Sequence, residues 1–220
     1  MKKTRLSDTS RNALSNLDRL QFATCEQLRY WVDVSQPTMS ITLSKLASSD
    51  YVKVDKSIKP FIYSLTQSGR RAIGTKAPKK AFYSTSVMRH TCHRNQAEIV
   101  LRGVYERMTF QSRKVWFKKG LNPAHGEHGA KDLNGYTLVL LDDYLMDSYR
   151  IGHSWTRPHA ANERYWADSQ IRHWRDVVDR YLVVTTDEGQ RERHLSFIEK
   201  SQLSDTVNIL HVEPLWENVC

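Results

Sequence analysis

A Ser-Gln-Pro sequence at 35–37 divides the first third of the chain into two helices joined by a sharp turn. Proline is tolerated in the first turn of a helix, where its missing N–H costs nothing, and is excluded from the interior. The serine or the glutamine therefore caps a helix that runs to about Ser48. Only three residues, 33–35, connect the preceding helix, 25–32, to this one.

The flanking segments have equally local signals. Thr24 precedes the helix 25–32 and has Gln27 three residues on, which is the spacing of a capping box. The segments 51–55 and 61–65 are rich in β-branched and aromatic residues and predict a hairpin. Two further helices are predicted, 11–20 at the start and 67–73, capped by Thr66, at the end.

The order helix, helix, turn, helix, hairpin, helix resembles the winged helix-turn-helix family of DNA-binding domains. The resemblance covers roughly residues 10–75, and the pattern Tyr-Ser-Leu-Thr-x-x-Gly at 63–69 is typical of the exit from the hairpin in that family. It implies that the second helix of the pair, from 36 to about 48, enters the major groove of DNA and that the hairpin is a wing that contacts phosphates.

The charge distribution agrees with an anionic partner. The 220-residue chain has a formal net charge of +9 and a pI of about 9.5. Residues 1–77 contain 13 Lys/Arg and 6 Asp/Glu, whereas the remainder contains 20 and 18. The positive charge is therefore concentrated where the resemblance lies, as expected for a nucleic-acid contact.

The outward face of the second helix is the predicted reading surface. With Met39, Leu43 and Leu46 turned inward, the opposite face carries mostly short polar side chains. Glutamine can pair with adenine through two hydrogen bonds. Ile41 either packs on a thymine methyl or belongs to the core, and we favour full or partial burial. The predicted contacts are Gln36, Thr38, Ile41, Ser44 and Lys45 of the helix, Lys53, Lys56 and Lys59 of the wing, and Arg70 and Arg71 of the last helix.

The remaining two-thirds predict a mixed α/β domain. We place a long helix at 86–108, and a second helix at 160–180 that forms either core or a dimer face, with a third at 191–201. Strands are predicted at 114–117, 136–141, 181–185 and 206–212, with 144–151 as a hairpin partner and 120–131 as a loop. The predicted organisation is α+β: a winged helix-turn-helix at 1–77, a linker at 78–85 that begins with a proline and two lysines, and an α/β domain at 86–220.

Two segments of this domain, 88–108 and 180–216, are similar to the replication-relaxation family of plasmid and mobile-element proteins. That resemblance implies a restriction-endonuclease-like fold in which carboxylates hold Mg²⁺. Asp132 lies where the first carboxylate would be, and Asp143 is a second candidate ligand. The next segment has no Glu-x-Lys, so we expect either a degenerate, non-catalytic nuclease fold or a dimerisation domain.

The sequence gives little indication of a metal site or a disulfide framework. His90, Cys92 and His93 form one cluster and His125 and His128 another, yet no second cysteine pair completes a structural zinc site, and we interpret them as surface and loop residues. Three widely spaced cysteines make no disulfide framework, and no apolar run follows the N-terminus, which predicts a cytoplasmic location. No cofactor, metal or membrane partner is expected.

The sequence therefore favours a sequence-specific binder of double-stranded DNA. The first hypothesis is a transcriptional repressor of a mobile element (plasmid or phage) that acts by steric occlusion and binds as a homodimer. Two alternatives stay open: a metal-dependent DNA-nicking relaxase with Asp132 and Asp143 as ligands, and a replication accessory protein with a replication partner.

Overall fold

The computed structural model describes residues 6–76, 83–123, 126–142, 147–156 and 173–215. The fold is α+β, and the described residues form two compact units. The first unit extends to Ile99 and includes Leu215, and the second unit covers Val100–Pro214. No helix in these ranges is long and apolar enough to cross a membrane.

The first unit has the winged helix-turn-helix order. Its elements are α1 (Asp8–Leu20), β1 (Phe22–Ala23), α2 (Cys25–Val32), α3 (Gln36–Ser48), β2 (Val52–Asp55), β3 (Ile62–Leu65), α4 (Gln67–Ala72) and the start of α5 (Thr85–Val104). The three strands pair antiparallel in the order β1-β3-β2, and β2, β3 and the loop 56–61 form the wing.

The predicted caps set the helix starts. The Thr24 hydroxyl accepts from the Gln27 amide at 3.3 Å, and the Gln27 side chain accepts from the Thr24 amide at 3.1 Å, which completes the capping box. Ser35 caps α3, with proline in the first turn. Asp33 ends α2 in the left-handed conformation (φ 59°), so the chain reverses within three residues.

The core of the first unit is built from one face of each helix and from the sheet. Its buried apolar residues are Ala13, Leu14, Leu17, Leu20, Ala23, Leu28, Met39, Leu43, Leu46, Val52 and Leu65. Gly69 explains the motif at the wing exit: a Cβ there would lie 2.1 Å from the Tyr51 carbonyl oxygen, so only glycine lets α4 approach the strand so closely.

The first unit continues beyond residue 77, where the sequence placed the domain boundary. Cys92 and Ala97 of α5 are buried, and Cys92 packs with Phe22 and Ile62 of the small sheet. The boundary between the compact units falls within α5. Residues 77–82, which hold most of the predicted linker, lie outside the described residues.

The second unit is a five-stranded mixed sheet with helices. Its elements are β4 (Thr109–Phe110), α6 (Arg113–Lys118), β5 (Glu127–Lys131), β6 (Tyr136–Asp142), α7 (Tyr149–Thr156), a 3-10 turn (Trp174–Asp176), β7 (Arg180–Thr185), α8 (Glu188–Lys200) and β8 (Val207–His211). The order is β4-β5-β6-β7-β8; β6, β7 and β8 are parallel, and β4 and β5 pair antiparallel.

The predictions at 136–141, 181–185 and 206–212 are confirmed as strands, and β6 is central as its apolar composition suggested. The strand predicted at 114–117 is wrong, because this segment is helix α6. Trp116 explains the difference. Its indole is fully buried, 5.1 Å from the Trp174 ring, and it fills the space that Gly129 leaves open on β5.

Two other local predictions fail in the same unit. The loop predicted at 120–131 contains strand β5, and 149–151, predicted in a hairpin partner of β6, begins helix α7. In the described part of the helix predicted at 160–180, residues 174–176 are a 3-10 turn and Arg180 begins β7. The rest of that prediction, 160–172, lies outside the described residues.

Candidate nucleic-acid interface

Helix α3 separates a buried face from an exposed one. Its buried residues are Met39, Thr42, Leu43 and Leu46, and its exposed residues include Gln36, Thr38, Ile41, Ser44 and Lys45. At about 100° per residue, Ile41 and Ser44 lie close to the centre of the outward arc. Thr38, Ile41, Ser44 and Lys45 therefore share one accessible face, and Gln36 is exposed at the first residue of the helix, outside that arc.

Ile41 is 57% exposed, so our preference for burial at this position is wrong. The error comes from weighing hydrophobicity above helical phase, because the core stripe of α3 is already complete without it. An exposed branched side chain between short polar residues gives the outward face an apolar centre. It suits contact with an apolar group such as the methyl of thymine.

The hydroxyl groups at the start of α3 are partly engaged within the helix. The hydroxyl oxygens of Ser35 and Thr38 lie 2.8 Å apart, and the Thr38 amide donates to Ser35 at 3.4 Å. Thr42 donates to the Thr38 carbonyl at 2.8 Å. Thr38 thus belongs to the cap as well as to the exposed face, and of the two Gln36 is the better candidate for reading a base.

The wing presents three exposed ammonium groups, those of Lys53, Lys56 and Lys59. One carboxylate, Asp55, lies among them and accepts from the Ser57 amide at 2.9 Å and from its hydroxyl at 2.6 Å. These two hydrogen bonds lower the pKa of Asp55. They shape the turn of the wing, and the lysines leave it with a net positive charge that suits phosphate.

The two arginines of α4 have different environments. Arg70 forms an ion pair with Asp18 of α1 and is partly buried. Arg71 is exposed. Arg70 is therefore engaged in joining α4 to α1, and Arg71 is the better candidate for a backbone contact.

Polar contacts that the sequence did not reveal anchor α5 to the chain around α1, β1 and α2. The Asn95 amide donates to the carbonyls of Leu20 (3.3 Å) and Phe22 (2.7 Å). Gln27, beyond its capping role, donates to the Cys92 carbonyl at 2.7 Å. The sequence signal was weak: Asn95 and Glu98 are three residues apart, and so lie on one face of the predicted helix.

An ion pair reinforces this anchor. Arg19 contacts both carboxylate oxygens of buried Glu98, at 3.1 and 3.2 Å. Its guanidinium carbon also lies 4.0 Å from the centroid of the Trp31 ring. Because Arg19 belongs to α1 and Trp31 to α2, the contact ties the helix-turn-helix to α5 and holds α2 in place beneath α3.

Of the two carboxylates proposed for a nuclease site, the structure describes only Asp132. One oxygen of Asp132 accepts from the Asn134 amide at 2.8 Å, and the other is paired with Arg180. Asp143 lies outside the described residues. Within the described ranges, no group of three or more histidine, cysteine, aspartate or glutamate side chains is placed to hold a metal. His125 is also outside these ranges, and His128 stacks on Phe110.

The structure does assemble a Ser-His-Asp chain that the sequence did not indicate. The Nε2 atom of His194 lies 2.7 Å from Asp142, and its Nδ1 atom lies 2.9 Å from the Ser148 hydroxyl. His194 and Asp142 are both buried. With both ring nitrogens engaged, the imidazole joins the end of β6, the residue before α7, and α8.

Comparison with known proteins adds little. No family model matches the chain, and no curated protein matches it in sequence. Among solved structures, the chain is similar to AbfR of Staphylococcus epidermidis, with 18% identity and a TM-score of 0.28, over 45% of this chain and 68% of that one. The fold assignment therefore depends on the element order and strand pairing given above.

Proposed function

We propose that the chain is a sequence-specific binder of double-stranded DNA that reads bases with the outward face of α3 and holds phosphates with the wing. The observation that supports this most directly is the shared exposure of the α3 side chains next to a wing with three lysines. Side chains from a helix of this size fit the major groove, and lysines on a hairpin suit the flanking backbone.

We further propose a regulatory role, in which the bound protein blocks a promoter or a replication origin by steric occlusion. Binding as a homodimer to a palindromic site would double the contact area. We also propose that a mobile element encodes the protein, because segments 88–108 and 180–216 resemble the replication-relaxation family in sequence.

The first experiment identifies the bound DNA. Pull-down from the native cell and sequencing, at two salt concentrations, should give a few sharp sites that persist at the higher salt. Their positions, at promoters or at a replication origin, distinguish the repressor from the accessory protein. Nicking of supercoiled plasmid that requires Mg²⁺ would instead establish the relaxase.

The second experiment tests the reading helix. The double variant Gln36→Ala/Lys45→Ala should lose the preference for the identified site over a scrambled duplex while its unfolding curve stays unchanged. The matched control Gln67→Ala/Arg11→Ala changes one exposed amide and one exposed cation on other helices, and should retain the preference. An unchanged footprint for the first variant would show that α3 is not the reading helix.

The exposed Ile41 predicts one feature of the DNA site, a thymine whose methyl group it contacts. If Ile41 packs on a thymine methyl, replacing that thymine by uracil removes about one buried methyl, or ~0.8 kcal/mol. The effect should appear with the wild type and vanish with Ile41→Ala. Equal sensitivity of both proteins to uracil would assign the methyl contact to another residue.

A further inference from the structure

A second basic surface lies on the second unit. Four of the seven residues from Arg113 to Lys119 are cationic, on and just after α6. Lys131, the last residue of β5, adds a fifth cation. We call Arg113, Lys114, Lys118, Lys119 and Lys131 the basic patch. Residues 78–220 as a whole have 20 Lys/Arg and 18 Asp/Glu, so this is a strong local concentration.

Four of these five cations are exposed, and Lys119 is half-buried. Trp116 is fully buried under α6, so Lys114 and Lys118, on the remaining arc of the helix, are exposed. The Nζ atoms of Lys119 and Lys131 lie 4.0 and 5.5 Å from the centroid of the Tyr136 ring. The Tyr136 ring therefore brings the cation that follows α6 close to the cation that ends β5.

Two carboxylates lie near the patch. Asp132 pairs with Arg180, and Asp179 accepts from the Tyr136 amide at 2.8 Å. In the described part of the chain, no carboxylate oxygen lies within 4.0 Å of a lysine nitrogen of the basic patch. The described lysines of the patch therefore form no ion pair, and like charges this close repel one another. A polyanion would relieve that repulsion.

We propose that the basic patch binds the sugar-phosphate backbone of double-stranded DNA and adds sequence-independent affinity to the contact made by the first unit. Lysine ammonium groups are compact point charges suited to phosphate oxygens. Once the first unit is bound, phosphates are present at a high effective concentration for any second cationic surface of the same chain. The inference rests on the proposed function only in taking duplex DNA as the ligand.

The test compares two full-length triple variants of equal charge. The patch variant is Lys114→Ala/Lys118→Ala/Lys131→Ala; Arg113 and Lys119 are left unchanged because they contact the Pro123 carbonyl and the Tyr136 ring. The control variant is Arg175→Ala/Arg193→Ala/Lys200→Ala, three exposed cations of the same unit. Binding to a specific and to a scrambled duplex is measured over a series of salt concentrations, with circular dichroism to show that both variants fold.

The patch variant should lower the slope of log K against log salt by about 0.9 for each phosphate that its lysines no longer neutralise, for both duplexes, and leave their affinity ratio unchanged. The control variant should keep the wild-type slope. Equal slopes for the two variants would overturn the proposal. So would weaker binding to anionic phospholipid vesicles or to RNA with an unchanged slope on duplex DNA.

A different experimental result is expected if the proposed function itself is wrong. In that case the wild type shows no preference for any duplex, and Gln36→Ala/Lys45→Ala has no effect on it. The slope of the patch variant on scrambled DNA is measured independently of that preference and still decides the role of the patch.

Discussion

Replacing Asn95 by alanine is the sharpest test of how far the first unit extends along the chain. Asn95 is fully buried, and its amide donates to the carbonyls of Leu20 and Phe22. Removing the donor deprives two carbonyls of a partner at a buried site, at about 1–1.5 kcal/mol each. We therefore expect Asn95→Ala to lower the free energy of unfolding of the first unit by ~3 kcal/mol.

The effect should be visible by urea denaturation of the full chain. With an m value of ~1.5 kcal/mol/M for a unit of this size, the midpoint of the first unit should fall by ~2 M. Hydrogen exchange in α1 and α3 assigns the transition to this unit. The control is Asn12→Ala, an exposed position of α1, where alanine should be neutral or stabilise by about 0.5 kcal/mol.

The refuting result is specific. If Asn95→Ala shifts the midpoint no more than Asn12→Ala, then α5 contributes nothing to the first unit. The domain would then end near residue 77, as the sequence suggested, and the contacts of α5 would be incidental to the stability of the reading helix.

Three further outcomes are expected. Burial raises the pKa of the Cys92 thiol from 9.0 to about 12, so it should resist alkylation in the folded protein. Because the folded-state pKa exceeds the unfolded one, its contribution to stability is complete below pH 9.0 and disappears as the pH rises toward about 12, which alkaline urea titrations would detect. Gly129→Ala places a Cβ 1.7 Å from the neighbouring indole and should destabilise the second unit by about 3 kcal/mol, whereas Gly103→Ala, with open space, should not. Arg71→Ala should reduce the salt slope of DNA binding by about one, whereas Arg70→Ala should mainly cost ~1 kcal/mol of stability by removing its ion pair with α1.

The elements that the sequence predicted well are those whose signals are local. Helix α2 was placed at its observed bounds because Thr24 and Gln27 form a capping box within four residues, and α3 because Pro37 fixes its first turn. The wing followed from two short β-rich segments separated by a loop. Each signal depends only on neighbours in sequence, so no knowledge of the packed core was needed.

The elements that failed depend on distant partners. The apolar run of α6 has the composition of a strand, and it is helical because Trp116 fits against a glycine on β5. Likewise, Arg19 meets Glu98, 79 residues away, and Asp142 meets His194, 52 residues away. Such pairs are invisible to periodicity, because neither partner's sequence neighbourhood contains the other.

In α3, hydrophobicity and helical phase predict opposite environments for one residue, Ile41. Hydrophobicity placed Ile41 in the core, whereas the helical phase set by Met39 and Leu43 turned it outward, and the structure follows the phase. We propose that a partner with an apolar group covers this exposed isoleucine, and in the major groove of DNA that group would be the thymine methyl.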